Sequence, residues 1–308
     1  REIGGEYFLV RIAVTGGAGA IGRYVCDELI SAEHDVVCVD RREPDSERPC
    51  KIADLLSLEA TRSALGDVDC IAHLAAIPDP FQGDPPERVM SVNTTLSYNV
   101  FEAARLNGIP RVIYGCSESS TGLGIHHVKL RPNYVPIDEV HPLRPHETYS
   151  LSKYFGERIG ANYAGAFGIE VVSLRYVWVW TRRVAQEAKR IVEQARRGTD
   201  LDRVDDKDWL GGHIAVRDVA RAFSAAVEFR FPDFQSPFEA FFLSARDTFH
   251  TVPTLDLLVK AFGSCPSVSD ESYFETNPTA SAFDIRKAKR LMGWEPTHHW
   301  NDFESWEL

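Results

Sequence analysis

Apolar residues in this chain fall into short, nearly continuous runs that alternate with stretches of helical spacing. Phe8 to Val14 is apolar except at Arg11 and reads as a strand. After a glycine-rich turn, Val25, Cys26, Leu29 and Ile30 recur at helical spacing. Asp35–Asp40, apolar in its middle, predicts a second strand. Asp67–Ala75 predicts a third, with Val68, Cys70, Ile71, Ala72 and Leu74 almost unbroken. Pro85–Asn107 reads as a long helix opening on a Pro-Pro pair, which suits a helix start. Arg111–Gly115 is a fourth strand, His146–Phe167 a helix, and Ile169–Leu174 a further strand. Near-continuous apolar strands fit a sheet buried on both faces. Their alternation with helices predicts an α/β fold, a parallel, doubly wound sheet.

Composition adds bounds. With 308 residues and 44% hydrophobic content, the chain can bury a sizeable core. A net charge of −11 argues against nucleic acid as a partner, though not against one nucleotide in a local pocket. No apolar run reaches bilayer length, and the polar stretch Arg1 to Tyr7 reads as neither signal nor anchor. The six cysteines lie far apart with no CxxC. They are expected to be reduced, mostly buried, in a cytoplasmic protein.

The glycine turn carries the first chemistry. Thr15 to Gly22 reads Thr-Gly-Gly-Ala-Gly-Ala-Ile-Gly between a strand and a helix start. Gly16, Gly19 and Gly22 remove side chains where backbone must approach a phosphate or a neighbouring strand. The helix start then offers free N–H groups and a positive dipole end to a pyrophosphate. A glycine triple also suits a plain tight turn, so later residues must decide. Asp40 ends the second strand about twenty residues past that turn, where a carboxylate accepts from ribose hydroxyls. It would repel a 2′-phosphate, which favours NAD over NADP, although Arg41 and Arg42 offset that repulsion. Asp54 either meets an adenine amino group or is a solvated loop acid. Ala75-Ala76 would let a cofactor lie against the backbone. Tyr149 and Lys153, four apart on a helix, share one face. A nearby ammonium is expected to lower the Tyr149 pKa and make it a general base. The turn Cys116 to Gly122 offers Ser117, or else Ser119, to hydrogen-bond the substrate oxygen.

Together these residues resemble the extended short-chain dehydrogenase/reductase superfamily, in its NAD-dependent epimerase/dehydratase branch. The matching positions are Gly16, Gly19, Gly22, Asp40, Asp54, His73-Leu-Ala-Ala76, Asn93, Ser117, Tyr149 and Lys153. Val216 to Ala220 and the ending Asp284 to Pro296 extend the resemblance over the whole chain. It implies a Rossmann-type NAD-binding domain over 1–175 that carries the catalytic Ser117, Tyr149 and Lys153. Residues 176–308 are then mainly a substrate-binding region, with some elements returning to the first domain. The expected cofactor set is Gly16, Gly19, Ala20, Ile21, Gly22, Asp40, Arg41, Asp54, Leu55, Leu74, Ala75, Ala76, Asn93, Tyr149 and Lys153. A homodimer is also implied, packed through the helices at 85–107 and 146–167. Val89, Val92, Leu96, Val100, Ala103 and Ala104 form the apolar stripe of the first, which equally suits its own sheet.

Departures narrow the reaction. The 4,6-dehydratases resembling this chain carry acidic residues after the catalytic hydroxyl, often Thr-Asp-Glu; here the run is Ser117-Glu118-Ser119. A dehydratase is therefore disfavoured, and Glu118 and Ser119 become candidate substrate contacts. Relatives that bind nucleotide sugars have an Asn and a Gly-Pro after the strand ending near Arg175, and an Arg near position 209. This chain has Arg175-Tyr-Val-Trp178-Val-Trp180 and Trp209-Leu-Gly-Gly-His213 instead. A small free sugar or sugar acid fits better, contacted by Arg175, Trp178 and His213. For His213 a packed core histidine is the favoured reading. His126, His127, His141 and His146 show no ligand spacing, so no metal is expected; their loop, 122–147, reads as a lid. The reading is an NAD-dependent oxidoreductase acting on a sugar-like carbinol. A sugar epimerase that retains NAD and a non-catalytic NAD-binding regulatory protein are the alternatives.

Overall fold

The computed structural model describes residues 9–44, 48–78, 83–124, 129–198, 210–232 and 236–306. His126, His127 and Trp209 lie outside the described residues. The strands are β1 (Arg11–Thr15), β2 (Asp35–Asp40), β3 (Cys50–Ile52), β4 (Cys70–His73), β5 (Arg111–Ser117) and β6 (Tyr134–Val135). They continue with β7 (Glu170–Tyr176), β8 (Trp178–Trp180), β9 (His213–Ala215), β10 (Phe238–Leu243) and β11 (Ser267–Val268). The helices are α1 (Gly22–Ser31), α2 (Leu58–Ala64), α3 (Pro86–Asn107), α4 (Thr148–Phe167) and α5 (Ala185–Arg196). They continue with α6 (Val216–Glu228), α7 (Thr254–Phe262), α8 (Glu271–Thr276) and α9 (Arg286–Met292).

Seven strands form one parallel sheet in the order β10-β7-β5-β4-β1-β2-β3. The order reverses between β1 and β4, so the turns after those two strands open a crevice at the carboxyl edge of the sheet. Both faces are covered: α1 packs with α6, while α2, α3 and α4 pack together on the other side. Ile12, Val14, Ala72, Ile113 and Val172 are buried toward the α1–α6 face, and Ala13, Ile71, Val112 and Val171 toward the α3–α4 face. The near-continuous apolar strands follow from this two-sided burial. The α3 stripe Val89, Leu96, Val100, Ala103 and Ala104 is buried within the chain. β10 returns from the later half of the chain to lengthen the sheet beside β7.

The other half forms a smaller lobe. β8 and β9 pair in parallel, and Trp180, Ala188, Ile191, Val192, Phe249, Trp300, Phe303 and Trp306 pack beneath them. The cysteine expectation needs one correction. Cys38 and Cys50 are partners in register on β2 and β3, their Cα atoms 4.6 Å apart, and they form a disulfide. Strand register brings the two sulfurs together, and their spacing along the chain carries no sign of it. Cys26, Cys70, Cys116 and Cys265 are free thiols. Burial pushes Cys70 and Cys116 up to about 12, which keeps them inert. Among the described residues no helix is long and apolar enough to cross a membrane.

Candidate active site

The glycine turn is shaped by crowding. Gly16 has φ +72°, and a Cβ there would lie 2.8 Å from the Ala75 nitrogen. The turn therefore lies directly against the Leu74–Ala75 backbone that follows β4. A Cβ on Gly19 would lie 2.9 Å from the Gly16 carbonyl, and one on Gly22 would collide with the same oxygen. α1 then begins after Ile21 with no side-chain cap and no acidic residue in its first turn. The Arg23 N–H turns back to the Gly19 carbonyl, and the Tyr24 and Val25 N–H groups to that of Ile21. With no acidic side chain at this end of α1, its positive dipole end is open to a pyrophosphate. Ala20, beside them, is exposed.

Asp40 sits at the edge of this cradle. Its Oδ2 accepts from the Ala18 N–H at 3.1 Å, and its Oδ1 accepts from the Arg41 N–H at 2.7 Å. The carboxylate is thus fixed beside the turn with lone pairs to spare. Arg41 is exposed next to it. Asp54 is exposed and accepts from the Leu56 N–H at 3.0 Å, while Leu55 is buried behind it. The residues therefore fit an NAD-type dinucleotide: an uncapped helix start, a turn without side chains, and a carboxylate at the ribose position.

Asn93 has a different place from that expected. Its amide accepts from the Ile77 N–H at 2.8 Å and donates to the Ile77 carbonyl and to Ser152 Oγ at 3.2 and 3.0 Å. The side chain is 3% exposed, and these bonds occupy both amide ends. It clamps the segment after β4 to α3 and α4, so it shapes the crevice from behind.

β5 and α4 bring the catalytic candidates together. β5 ends at Ser117, whose hydroxyl caps a short 3₁₀ turn over Glu118–Thr121. Ser117 Oγ accepts from the Ser119 N–H at 3.2 Å and the Ser119 hydroxyl at 2.9 Å, and donates to Glu118 Oε2 at 3.1 Å. α4 starts just before Tyr149, because the Glu147 carboxylate accepts from the Tyr149 and Ser150 N–H groups at 2.8 and 3.0 Å. Lys153, one turn further on, donates to the Gly115 carbonyl on β5 at 2.8 Å. Lys153 thus ties the helix bearing Tyr149 to the strand bearing Ser117. At Gly156 a Cβ would strike the Tyr114 hydroxyl, so glycine permits the close packing of α4 on β5.

Electrostatics corrects one expectation. Burial, followed by Tyr176 and Glu118, holds the Tyr149 proton well above the ordinary tyrosine range instead of lowering it. Lys153 lies 5.9 Å from the centre of the Tyr149 ring, and burial lowers its own pKa to about 8. Desolvation of both groups outweighs their attraction. Burial also raises Glu118 to about 7. His73, donor or acceptor to Thr15 Oγ1 at 2.7 Å, is lowered to about 3 by burial and then by Lys153, so it is neutral.

The expected substrate contacts divide. Glu118 and Ser119 lie with Ser117. Arg175 does not reach outward: it is 3% exposed, and its guanidinium donates to Glu157 at 2.8 and 2.7 Å and to the Glu139 carbonyl at 3.2 Å. Strand alternation turns it to the α4 side of β7, where Glu157 is fully buried and needs a cation. Glu157 went unnoticed in the sequence, because its pairing depends on the packing of α4 across β7. His213 is fully buried with its ring 4.6 Å from Trp180, and burial lowers it to about 3. It is a packed core ring. Trp178 is half-buried, edge-on to Trp180 at 5.9 Å.

Comparison with known proteins places the chain in a family. A model of the NAD dependent epimerase/dehydratase family matches residues 12–234. The L-arabinose 1-dehydrogenase (NAD(P)(+)) of Haloferax volcanii is 32% identical over 244 residues, 78% of this chain and 90% of that one. The uronate dehydrogenase of Agrobacterium fabrum is 31% identical over 168 residues, 54% of this chain and 60% of that protein. A solved UDP-galactose 4-epimerase superposes with a TM-score of 0.67 at 25% identity, covering 95% of both chains.

Proposed function

The chain belongs to the NAD dependent epimerase/dehydratase family, and on that premise we propose that it is an NAD-dependent dehydrogenase of a small sugar-like or sugar-acid substrate. NAD, when bound, takes up the hydride that leaves the carbinol carbon. The glycine turn and the start of α1 would hold its pyrophosphate, and Asp40 the adenosine ribose hydroxyls. Ser117 donates to the reacting oxygen, and Tyr149 removes the carbinol proton as that oxygen becomes a carbonyl. Lys153 keeps the two in register through Gly115. Ser119 and Trp178 are the proposed substrate contacts, with Glu118 behind them on Ser117, and residues 176–308 mainly close the substrate side.

The observation that supports the reading is the 2.8 Å Lys153–Gly115 hydrogen bond, which ties α4, the helix that starts with Tyr149, to β5, the strand that ends at Ser117. Sugar oxidation also fits the names of the arabinose and uronate dehydrogenases. A panel of free sugars, sugar acids and nucleotide sugars, followed at the NADH absorbance band, tests it. Net NADH formation is the expected result. Isomerised product without NADH release would instead establish an epimerase, the reading favoured by the 25% identity to UDP-galactose 4-epimerase. Tight NAD binding with no turnover on the whole panel would leave a regulatory protein.

A homodimer in the cytoplasm is part of the proposal. Tyr98 on α3 and Phe155 and Phe167 on α4 are 49%, 37% and 52% exposed, and their rings offer an apolar surface on one layer. Sedimentation equilibrium would read the association state.

A further inference from the structure

Ser117 has no hydrogen-bonding capacity to spare. A hydroxyl offers one proton and two lone pairs. Ser119 fills the lone pairs, through its N–H at 3.2 Å and its hydroxyl at 2.9 Å, and the Ser117 proton points to Glu118 Oε2 at 3.1 Å. A serine held this way cannot donate to a substrate oxygen, which is the one task the proposed chemistry assigns to it. Whatever releases that proton controls the site.

Glu118 is the group in question. It is buried, and its carboxyl lies against Gly124, where a Cβ would be 3.1 Å from Oε1. Among the described residues, the titratable and charged groups around it come from α4. From α4, Tyr149 lies within electrostatic range, and Lys153 is engaged with the Gly115 carbonyl. From β5 it meets only the Ser117 hydroxyl. No cation pairs with Glu118 among the described residues; burial and the Ser117 hydrogen bond set its charge, burial prevailing at about 7. Both its forms are therefore populated at neutral pH.

Resting on the dehydrogenase reading, we propose that Glu118 is a positioning residue that gates the Ser117 proton: the carboxylate holds it, and the carboxylic acid releases it to the reacting oxygen. The physical reason is the strength of charge-assisted hydrogen bonds, roughly twice that of neutral ones. An ionised Glu118 competes successfully with a neutral substrate oxygen for the single Ser117 proton. A protonated Glu118 does not, and Ser117 turns to the substrate.

The test is the ratio of kcat/KM for Glu118→Gln to that for the wild type, across pH, with a sugar the protein oxidises. Glutamine keeps the shape and stays neutral, and NAD binding equal to that of wild type verifies the fold. The ratio should be flat below pH 6 and climb about tenfold per pH unit above 7, roughly a hundredfold by pH 9. A flat or falling ratio from pH 6 to 9 overturns the proposal, as does a Glu118→Gln protein that binds NAD normally and oxidises nothing. If neither protein oxidises any sugar, the dehydrogenase reading has failed instead. The infrared difference between the two proteins then decides the gate: a carboxylic acid band at pH 6 that disappears by pH 9 supports it, and a carboxylate already present at pH 6 overturns it.

Discussion

Burial disfavours the charged forms of both groups that α4 brings together and so moves their pKa values in opposite directions. It raises Tyr149 and lowers Lys153 to about 8, so the tyrosinate is disfavoured while Lys153 keeps its charge below pH 8. Tyr149 nevertheless remains the group positioned to move the carbinol proton. Tyr149→Phe is expected to lower kcat by about 10² to 10⁴ while NAD binding, followed by fluorescence quenching, is unchanged. Residual activity near that of wild type would remove Tyr149 from the mechanism. Asp40 acts at the other end of the cofactor cradle, fixed by the Ala18 and Arg41 N–H groups. Replacing it by alanine removes both the acceptor for the ribose and the repulsion toward a 2′-phosphate. The NAD-over-NADP ratio in kcat/KM should fall about tenfold or more. If the ratio does not change, Asp40 is not at the cofactor.

The same division between local and distant interactions decides what could be read at the scale of elements. α3 was legible as Pro85–Asn107 and α4 as His146–Phe167, within two residues of their observed starts, because helical spacing and an opening proline are local signals. β2 was legible in full, and so was the reversal-prone order of strand, glycine turn and helix. Arg175 was misplaced because its neighbour in space, Glu157, lies on another element 18 positions away. Cys38 and Cys50 were misread for the same reason, since only the β2–β3 register joins them. The Arg175–Glu157 pair yields a prediction about the packing of α4 on β7. Burial alone would raise the Glu157 pKa, but the Arg175 hydrogen bonds and charge outweigh it and keep the carboxylate ionised. Glu157→Gln takes from a buried guanidinium the carboxylate it is hydrogen-bonded to, a loss of about 3 to 5 kcal/mol. Calorimetry should find a clearly lower melting temperature, and the double variant Glu157→Leu with Arg175→Leu should recover much of the loss. An unchanged Glu157→Gln protein would refute the structural role of the pair.

At the scale of the whole molecule, the segment after α9 is anchored to α6 at Asp218. This residue lies in the first turn of α6, the helix that packs on α1 behind the glycine turn. Its carboxylate, 1% exposed, accepts from Arg221 at 2.6 Å, from the Thr297 N–H and hydroxyl at 3.1 and 3.0 Å, and from the His298 N–H at 3.1 Å. Its carbonyl accepts from the Trp294 indole at 2.9 Å. The segment after α9 is thereby fastened to the helix that supports the dinucleotide turn. Burial by itself would raise the Asp218 pKa; hydrogen bonds from His298 and Arg221 overcome it and hold the carboxyl at about 2. The folded value lies below that of an unfolded aspartate, about 3.9, so this contribution is complete above pH 4 and disappears as pH falls through 2. Asp218→Asn should therefore cost about 2.5 kcal/mol at pH 7, from nearly two units at about 1.4 kcal/mol each. The gap between variant and wild type should close as pH falls from about 4 toward 2. Denaturant titrations at pH 7, 4 and 3 would read this convergence. A gap of constant size would mean that Asp218 holds the segment to α6 through its shape and not through its charge.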